Sequence, residues 1–600
     1  MGREKVATHD VTDKQRSTFR LFLIKPSHYD DDGYVIQWMR SNVPSNSLAA
    51  LNGIAHECIN DRVLGDEVKF EITIEDEINT RIRPDRIARA ILASSDGGLV
   101  ALVGVQSNQF PRALDIARPL RAVGIPVCIG GFHVSGSLSM LPRTPPEIQE
   151  AMDLGISIFA GEVEGRLCEL LLDAHRGSLK PIYNWMKDLP SLEGASIPIL
   201  PRDTIARTAT TRTSFDCGRG CPFQCSFCTI INVQGRKSRF RTADDIERIL
   251  RANRAQGVKK LFITDDNFAR NKNWEAIFDR IIEMRKSEGL KFSFIIQVDT
   301  LCHRIPNFVE KAGRAGVNRV FIGLESINPD NLIGAKKKQN RITEYRTMLQ
   351  AWKRIGAMTY CGYIIGFPND TPERVLRDIE VMKRELPVDL VEFFCLTPLP
   401  GSEDHTVLVA KGVPMDPDMN NYDTEHVTMA HPLMSAEEWI KLYRRAWHVF
   451  YTPKHIETVM HRAAVSGMKP RKIKNLVLGF YGSQAIEGIH PLQGGFLRLK
   501  YRRDRRPGFP IENRLRFYPA YIWETATKAW RFFWLNRAYQ RILKRVEKHS
   551  CKASYADLAL RPAGNQDLDQ LELFSISKSA REAADHIRRN AKLHIQQPAE

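Results

Sequence analysis

The chain has 600 residues, 43% hydrophobic and 26% charged, and 87 Lys and Arg against 70 Asp and Glu give a formal net charge of +17. That length exceeds a single core and predicts three or four domains, and the ordinary composition excludes a disordered or fibrous chain. No apolar run of about 18 residues is present, so no membrane-spanning helix is predicted, and the polar start MGREKVATHDVTDKQRSTFR lacks the apolar stretch of a secretory signal.

Residues 1–18 read as a polar arm. From 19 to 200, RLFLIKP, VKFEITI, LVALVGV, IPVCIGG and SIFAG read as short buried strands. PRALDIARPLRAVG and EGRLCELLLDAHRG read as helices among them, a pattern that predicts a Rossmann-like parallel sheet. A second series covers 205–410, with strands TATTRTSF, KKLFITD, FSFIIQV, NRVFIGLE, MTYCGYIIGF and LVEFFCLTP and amphipathic helices between them. Six such units in succession predict a partial (β/α)6 barrel, whose site belongs at the carboxyl ends of its strands. Residues 411–550 turn helical, basic and aromatic, and 551–600 read as a weakly ordered tail.

Of the 11 cysteines, four crowd between Cys217 and Cys228. Without an export signal, metal or redox use is more plausible than a disulfide framework. Cys221, Cys225 and Cys228 have CxxxCxxC spacing directly after the first strand of the second series. Three thiolates on a four-iron cube leave one iron without a protein ligand, so that iron is open to a small molecule. Thiolates suit iron–sulfur and zinc alike, and Cys217 as a fourth ligand would suit tetrahedral zinc.

This motif, with Phe227 before its last cysteine, resembles the radical S-adenosylmethionine (SAM) superfamily. The resemblance implies a 4Fe–4S cluster on Cys221, Cys225 and Cys228, with SAM bound at the open iron and Phe227 beside its adenine. It also implies SAM contacts at Asp265 and Asp266 after the second strand, Asp299 after the third, Glu325 ending the fourth, and Gly362 and Gly366 on the fifth. Glycines there allow backbone to approach a flat ring closely. Structural alternatives stand beside these: a helix cap for the two aspartates and a buried ion pair for Glu325. Leu396–Gly401 resembles the turn after the family's sixth strand, and the resemblance covers roughly 205–410.

The unit over 19–200 resembles the cobalamin-binding domain that precedes the radical domain in one subclass. Gln106, Asn108, Gly130, Gly131 and His133 fall at its strand ends and are the cobalamin contacts that the resemblance implies; Pro26–His28 and Gly161–Gly165 occupy similar turns. The DxHxxG motif that supplies a histidine to cobalt in many cobalamin proteins is absent, and His28 and His133 have satisfied structural roles as their alternative.

In the tail, Arg498 to Arg506 form a dense basic run, followed by aromatics from Phe517 to Trp534 and further bases to Lys548. A membrane-interface segment, an RNA-stacking surface and a packed helix with a basic face all fit this composition. The resulting expectation is a cobalamin-dependent radical SAM methyltransferase acting on an unactivated carbon. A cyclase or rearrangement enzyme with the same cofactors is the alternative, and a zinc-stabilised nucleic-acid-binding protein is a further one. The expected partners are a small-molecule or lipid-like substrate and a flavodoxin- or ferredoxin-type electron donor. Nucleic acid is not expected; the location is expected to be cytoplasmic, with peripheral membrane contact through 498–548.

Overall fold

The structure, a computed structural model, describes residues 17–548, 555–564 and 567–595. The arm read over 1–18 lies outside the described residues as far as 16, and Ser17 and Thr18 already belong to the first strand. That sheet contains β1 (Ser17–Lys25), β2 (Val68–Asp76), β3 (Gly98–Leu102), β4 (Val127–Gly130), β5 (Ser157–Ala160) and β6 (Ile182–Asn184). All pairs are parallel and the order is β2-β1-β3-β4-β5-β6. The run GLVAL of β3 is buried at every position, as a strand covered on both faces must be. In β1, Phe22 and Ile24 enter one core while Leu21 and Leu23 enter another on the opposite face. The strand order reverses between β1 and β3. Loops leaving adjacent strands there diverge to opposite faces and leave a crevice beyond the strand ends.

The second sheet contains β7 (Arg212–Phe215), β8 (Lys260–Ile263), β9 (Ser293–Val298), β10 (Val317–Glu325), β11 (Met358–Ile365) and β12 (Leu390–Cys395), paired in parallel in that order. Helices Ala243–Ala255, Trp274–Ser287, Phe308–Ala315, Ile342–Arg354 and Pro372–Glu385 alternate with the strands. Thr242 and Thr371 cap two of these helices by accepting from backbone N–H groups of the first turn. The order is that of a barrel left open between first and last strands. A further ribbon, Gln37–Ser41 against Gly495–Leu499, ties the front of the chain to its back. Trp38 is buried in it and donates from Nε1 to the Gln493 carbonyl at 2.8 Å.

Among the described residues, the helices after residue 430 build no core of their own. Trp439, Trp447, Tyr539 and Leu543 join the barrel's core. The basic run is largely neutralised: Arg498 pairs with Asp30 at 2.8 Å, Lys500 with Glu524 at 2.9 Å and Arg506 with Asp418 at 2.6 Å. It therefore acts as a clamp between segments, not as an open cationic surface. The reading of 551–600 as weakly ordered needs correction for its described part. Leu571, Leu573, Phe574 and Ala580 are buried in the barrel's core, and Asp557 pairs with the buried Arg462 at 2.8 Å. Sequence composition missed this because the segment is held by a few well-spaced apolar side chains and by scattered ion pairs, with Arg346 on Asp567 and Arg377 and Arg384 on Glu572 besides Arg462 on Asp557. Replacing Arg462 by Ala strands Asp557 and frees the Leu386 and Lys383 carbonyls. The expected loss is about 3–5 kcal/mol of stability in a denaturant titration.

Candidate functional site

A cavity of about 750 Å³ lies where the carboxyl ends of both sheets meet. From the first sheet it is lined by Lys25 and Pro26 at the end of β1, Gln106 and Asn108 after β3, and Gly130 and Gly131 at the end of β4. From the second it is lined by Arg219 and Thr229–Ile230 around the cysteine loop, Thr264 and Asp266 after β8, and Phe394 of β12.

The cysteine loop leaves β7 through a two-residue pairing, Gly218–Arg219 against Arg239–Phe240. Backbone bonds then hold it: Cys221 N to Gly235 O at 3.2 Å, Cys228 N to Cys225 O at 3.2 Å and Ser226 N to Ala335 O at 3.0 Å. Gln339 Nε2 donates to Cys225 Sγ at 3.4 Å. Burial pushes the Cys221 thiol up, and Cys225 and Asp266 nearby add to the effect. Burial, with Asp266 and Cys225 again adding, pushes Cys228 up to about 12. The three sulfurs therefore share one acidic neighbourhood, and a metal centre there must displace their protons to bind. Cys217 stands apart. It is fully buried in the apolar core, and its charged neighbours are Asp265, Asp216 and Arg241. Among the described residues, no group of three or more His, Cys, Asp or Glu side chains converges on a single-ion site.

The two aspartates after β8 have different surroundings. Asp265 is buried and saturated: it accepts from Cys217 N at 2.6 Å and Asn271 Nδ2 at 3.0 Å. Its carboxylate braces the loop and does not open to the cavity, and burial raises it to about 7. Asp266 is exposed and lines the cavity. Enclosure by protein also raises it to about 7. Asp299 is likewise spent, clamped by Arg270 at 2.6 and 2.9 Å.

Glu325 sits at the end of β10 with φ +61° and pairs closely with Lys337. Burial alone would lower the Lys337 ammonium, but Glu325 and the Cys225 and Cys228 sulfurs hold it above its usual range. Its Nζ lies 5.7 Å from the Phe227 ring centre. Lys337 and Gln339 were not singled out from sequence, because they sit in a loop more than 100 positions after the cysteines. Gly362 lies against the rings of Phe321 and Phe394. The flat ring beside Gly366 is the protein's own. At φ +114°, an added Cβ would fall 1.7 Å from the Trp439 indole, whose Nε1 donates to the Ile365 carbonyl at 3.0 Å. The close approach predicted there is thus met by packing.

In the front unit, Gln106 and Asn108 face the cavity, as do Gly130 and Gly131. Gly131 has φ +150°, and an added Cβ would meet Val105 N at 2.1 Å, so the chain's own backbone already requires glycine there. His133 does not line the cavity. It is buried behind it, 3.2 Å from Ser107 Oγ, 3.3 Å from Glu147 and against the Phe110 ring. Its assignment as a contact is corrected to a packing role. His28 and His490 are the histidines lining the cavity, and burial lowers them to about 4 and about 3, leaving both neutral.

The turn Gly161–Gly165 has a role that sequence did not suggest. Glu162 and Glu164 accept from Arg219 at 2.7 and 2.6 Å, and Arg239 also binds Glu162. Asp216 closes the group on Arg219 at 3.0 Å. A front-unit loop is thereby fixed to the base of the cysteine loop.

Residues 216–382 match the sequence profile of the radical SAM superfamily. Bacteriochlorophyllide d C-12(1)-methyltransferase of Chlorobaculum tepidum is 26% identical over 391 residues, 63% of this chain and 79% of that protein. Bacteriochlorophyllide d C-8(2)-methyltransferase of the same organism is 27% identical over 404 residues, 63% and 82% of the two chains. Among solved structures, the radical S-adenosylmethionine methyltransferase TsrM from Kitasatospora setae, with cobalamin and a 4Fe-4S cluster bound, aligns at a TM-score of 0.54 and 14% identity. The alignment covers 88% of this chain and 99% of that one, and it shows the shared fold.

Two measurements test this geometry. Gly366→Ala forces a side chain into the Trp439 ring from a left-handed backbone, and should cost about 2–5 kcal/mol in equilibrium unfolding. Asp216, despite its burial, is held down at about 2 by Arg219 and Arg241, and Glu164, likewise buried, is held low by Arg219. Depressed carboxylates add stability above their ordinary range near pH 4 and lose it as pH falls through the folded value. Stability should therefore drop between about pH 4 and pH 2, and Arg219→Gln should flatten that slope.

Proposed function

We propose that this chain, whose residues 216–382 belong to the radical SAM superfamily, is a cobalamin-dependent radical SAM methyltransferase acting on an unactivated carbon. The observation that carries this reading is a loop of three clustered thiols beside a cavity formed by the ends of two parallel sheets. The similarity to bacteriochlorophyllide methyltransferases along nearly two thirds of the chain supports the reaction class. Residues 19–200 and 205–410 are assigned as its cobalamin-binding and radical units.

The donor sets fit these groups. Three soft thiols on one short loop suit an iron–sulfur cluster. The cavity offers backbone at Gly130 and Gly131 and amides at Gln106 and Asn108, which suits a large amide-bearing ring. His28 and His490 remain neutral there, while His133 is turned away. When bound, the cluster with SAM supplies a carbon-centred radical and cobalamin supplies a methyl group, chemistry that belongs to the cofactors.

The chain's own residues hold and insulate that chemistry. Cys221, Cys225 and Cys228 are assigned to the cluster. Lys337 offsets the negative charge that thiolates would bring and is itself held by Glu325. Phe227, Asp266, Glu325, Gly362 and Gly366 are assigned to the SAM side, Gly366 through the backbone position it permits. Asp266, near pH 7 in its titration, is placed to accept a bond from an ammonium group. The substrate is a small or lipid-like molecule, the electron comes from an external flavodoxin- or ferredoxin-type donor, and 498–548 is the segment assigned to peripheral membrane contact.

Anaerobically purified protein should contain about four iron and four sulfide per chain and retain a corrinoid. Cys225→Ala should lose the iron and stop formation of 5′-deoxyadenosine from SAM under reduction. Unchanged 5′-deoxyadenosine from that variant removes Cys225 from the cluster, and a product that gains no methyl mass overturns the methyltransferase reading.

A further inference from the structure

The helix Arg514–Lys548 has 35 residues and carries its apolar side chains on two faces. One face packs: Phe517, Tyr539, Ile542, Leu543 and Val546 are buried. The other is open: Tyr518, Ile522, Trp523, Trp530, Phe533 and Trp534 are all exposed, Trp523 by 75% and Trp530 by 61%. At 100° per residue these six fall within one sector of about 160°, over about 25 Å of helix at 1.5 Å per residue. A surface helix ordinarily turns polar residues outward, so this one is inverted. Three stacked or edge-on ring contacts join Trp530, Phe533 and Trp534 into one aromatic patch.

The same face changes character along its length. Beyond Trp534, its exposed positions are Arg537, Arg541 and Lys544, with the Arg537 guanidinium 5.8 Å from the centre of the Phe533 ring. Within Arg514–Lys548 the acids are Glu547, in the last turn, and Glu524. Glu524 lies on the packed side, bound to Lys500 and Lys528. Phe496 is also exposed, 61%, in the strand that Tyr521 anchors by its bond to the Arg498 carbonyl at 2.9 Å.

We propose that this stripe is a docking face for an anionic bilayer surface, with the helix lying in the interface. Its aromatic half enters the boundary between headgroups and acyl chains, and Arg537, Arg541 and Lys544 meet the lipid phosphates. Three features favour lipid as the occupant. Trp and Tyr prefer an interface that is apolar on one side and wet on the other. The basic continuation of the stripe complements anionic headgroups. The packed face holds the helix flat on the body, so it presents a side and not an end; no described helix is long and apolar enough to cross a membrane. A second copy of the chain fits less well. A two-fold pairing centred on the stripe sets Arg514 and Arg516 of one copy against Arg537 of the other, with no free acid on the face between them.

This deepens, and rests on, the membrane contact assigned above to 498–548, and it is independent of the radical chemistry. The test is flotation of the full-length protein with vesicles of phosphatidylcholine alone or mixed with phosphatidylglycerol. Wild type should float with the anionic vesicles and remain largely behind with the neutral ones. A Trp523→Ser, Trp530→Ser, Phe533→Ser variant should bind at least about tenfold more weakly, since affinity follows buried apolar area. All three side chains are exposed, so circular dichroism and melting should match wild type. An Arg537→Gln, Arg541→Gln, Lys544→Gln variant should lose the preference for phosphatidylglycerol. Wild-type binding by the aromatic variant overturns the stripe but leaves membrane contact elsewhere in 498–548 standing. No flotation of wild type overturns both, as does a concentration-dependent dimer that the aromatic substitutions dissolve without any vesicle binding. Production of 5′-deoxyadenosine in vesicle-free buffer reports on the radical reading separately.

Discussion

The ion cluster of Arg219 and Arg239 with Glu162, Glu164 and Asp216 is the constraint on which the candidate site depends. It joins a loop at the end of the first sheet to the base of the cysteine loop at the end of the second. The groups are almost wholly removed from water, with Arg219 11% exposed and Glu162 and Glu164 9% each. Buried charges of this kind add little net stability against a well-packed apolar alternative, yet breaking one partner is costly. Their value lies in geometry: guanidinium groups bind carboxylates in a fixed fork. Two parallel sheets with separate cores can slide on an apolar interface, whereas two arginines sharing one glutamate fix both position and rotation.

That fixed relation makes the cavity a joint product of both sheets. The switch point of the first sheet supplies backbone and amide groups, and the barrel mouth supplies Asp266 and the residues that flank the cysteine loop. A large planar ligand on one side and a small charged one on the other can then approach the same space. The acidic neighbourhood of the three thiols is balanced from one direction by Lys337, whose ammonium is kept charged by Glu325. A loop holding several anions around a metal centre gains from such a fixed cation, because the anions repel one another in a medium of low polarity.

The back of the chain has a different task. Its helices complete the barrel's core instead of forming an independent body, and its basic run is spent on Asp30 of the front unit and on Asp418. This leaves the inverted helix as an apolar and cationic surface on the described molecule. The ribbon built on Trp38 ties that region to the first sheet, so a contact made at the helix is mechanically connected to the unit that lines the cavity.

Sequence by itself determined the two parallel sheets, because continuous apolar runs alternating with amphipathic helices admit few other arrangements. It also determined the cysteine loop's place after β7, since four- and three-residue gaps are local and survive any packing. Gln106, Asn108 and Asp266 were legible as strand-end groups, and the structure places them on the cavity. Only the tertiary structure decided how neighbours in sequence divide their work. Asp265 and Asp266 are adjacent, but one braces a loop and the other faces the cavity. His133 turned inward and Gly366 met Trp439, because those partners arrive from far along the chain. Local pattern records residue type and period; it does not record which distant side chain claims a hydrogen bond, fills a void or neutralises a charge. The roles of Arg219, Lys337 and the exposed face of the last long helix were therefore set by folding.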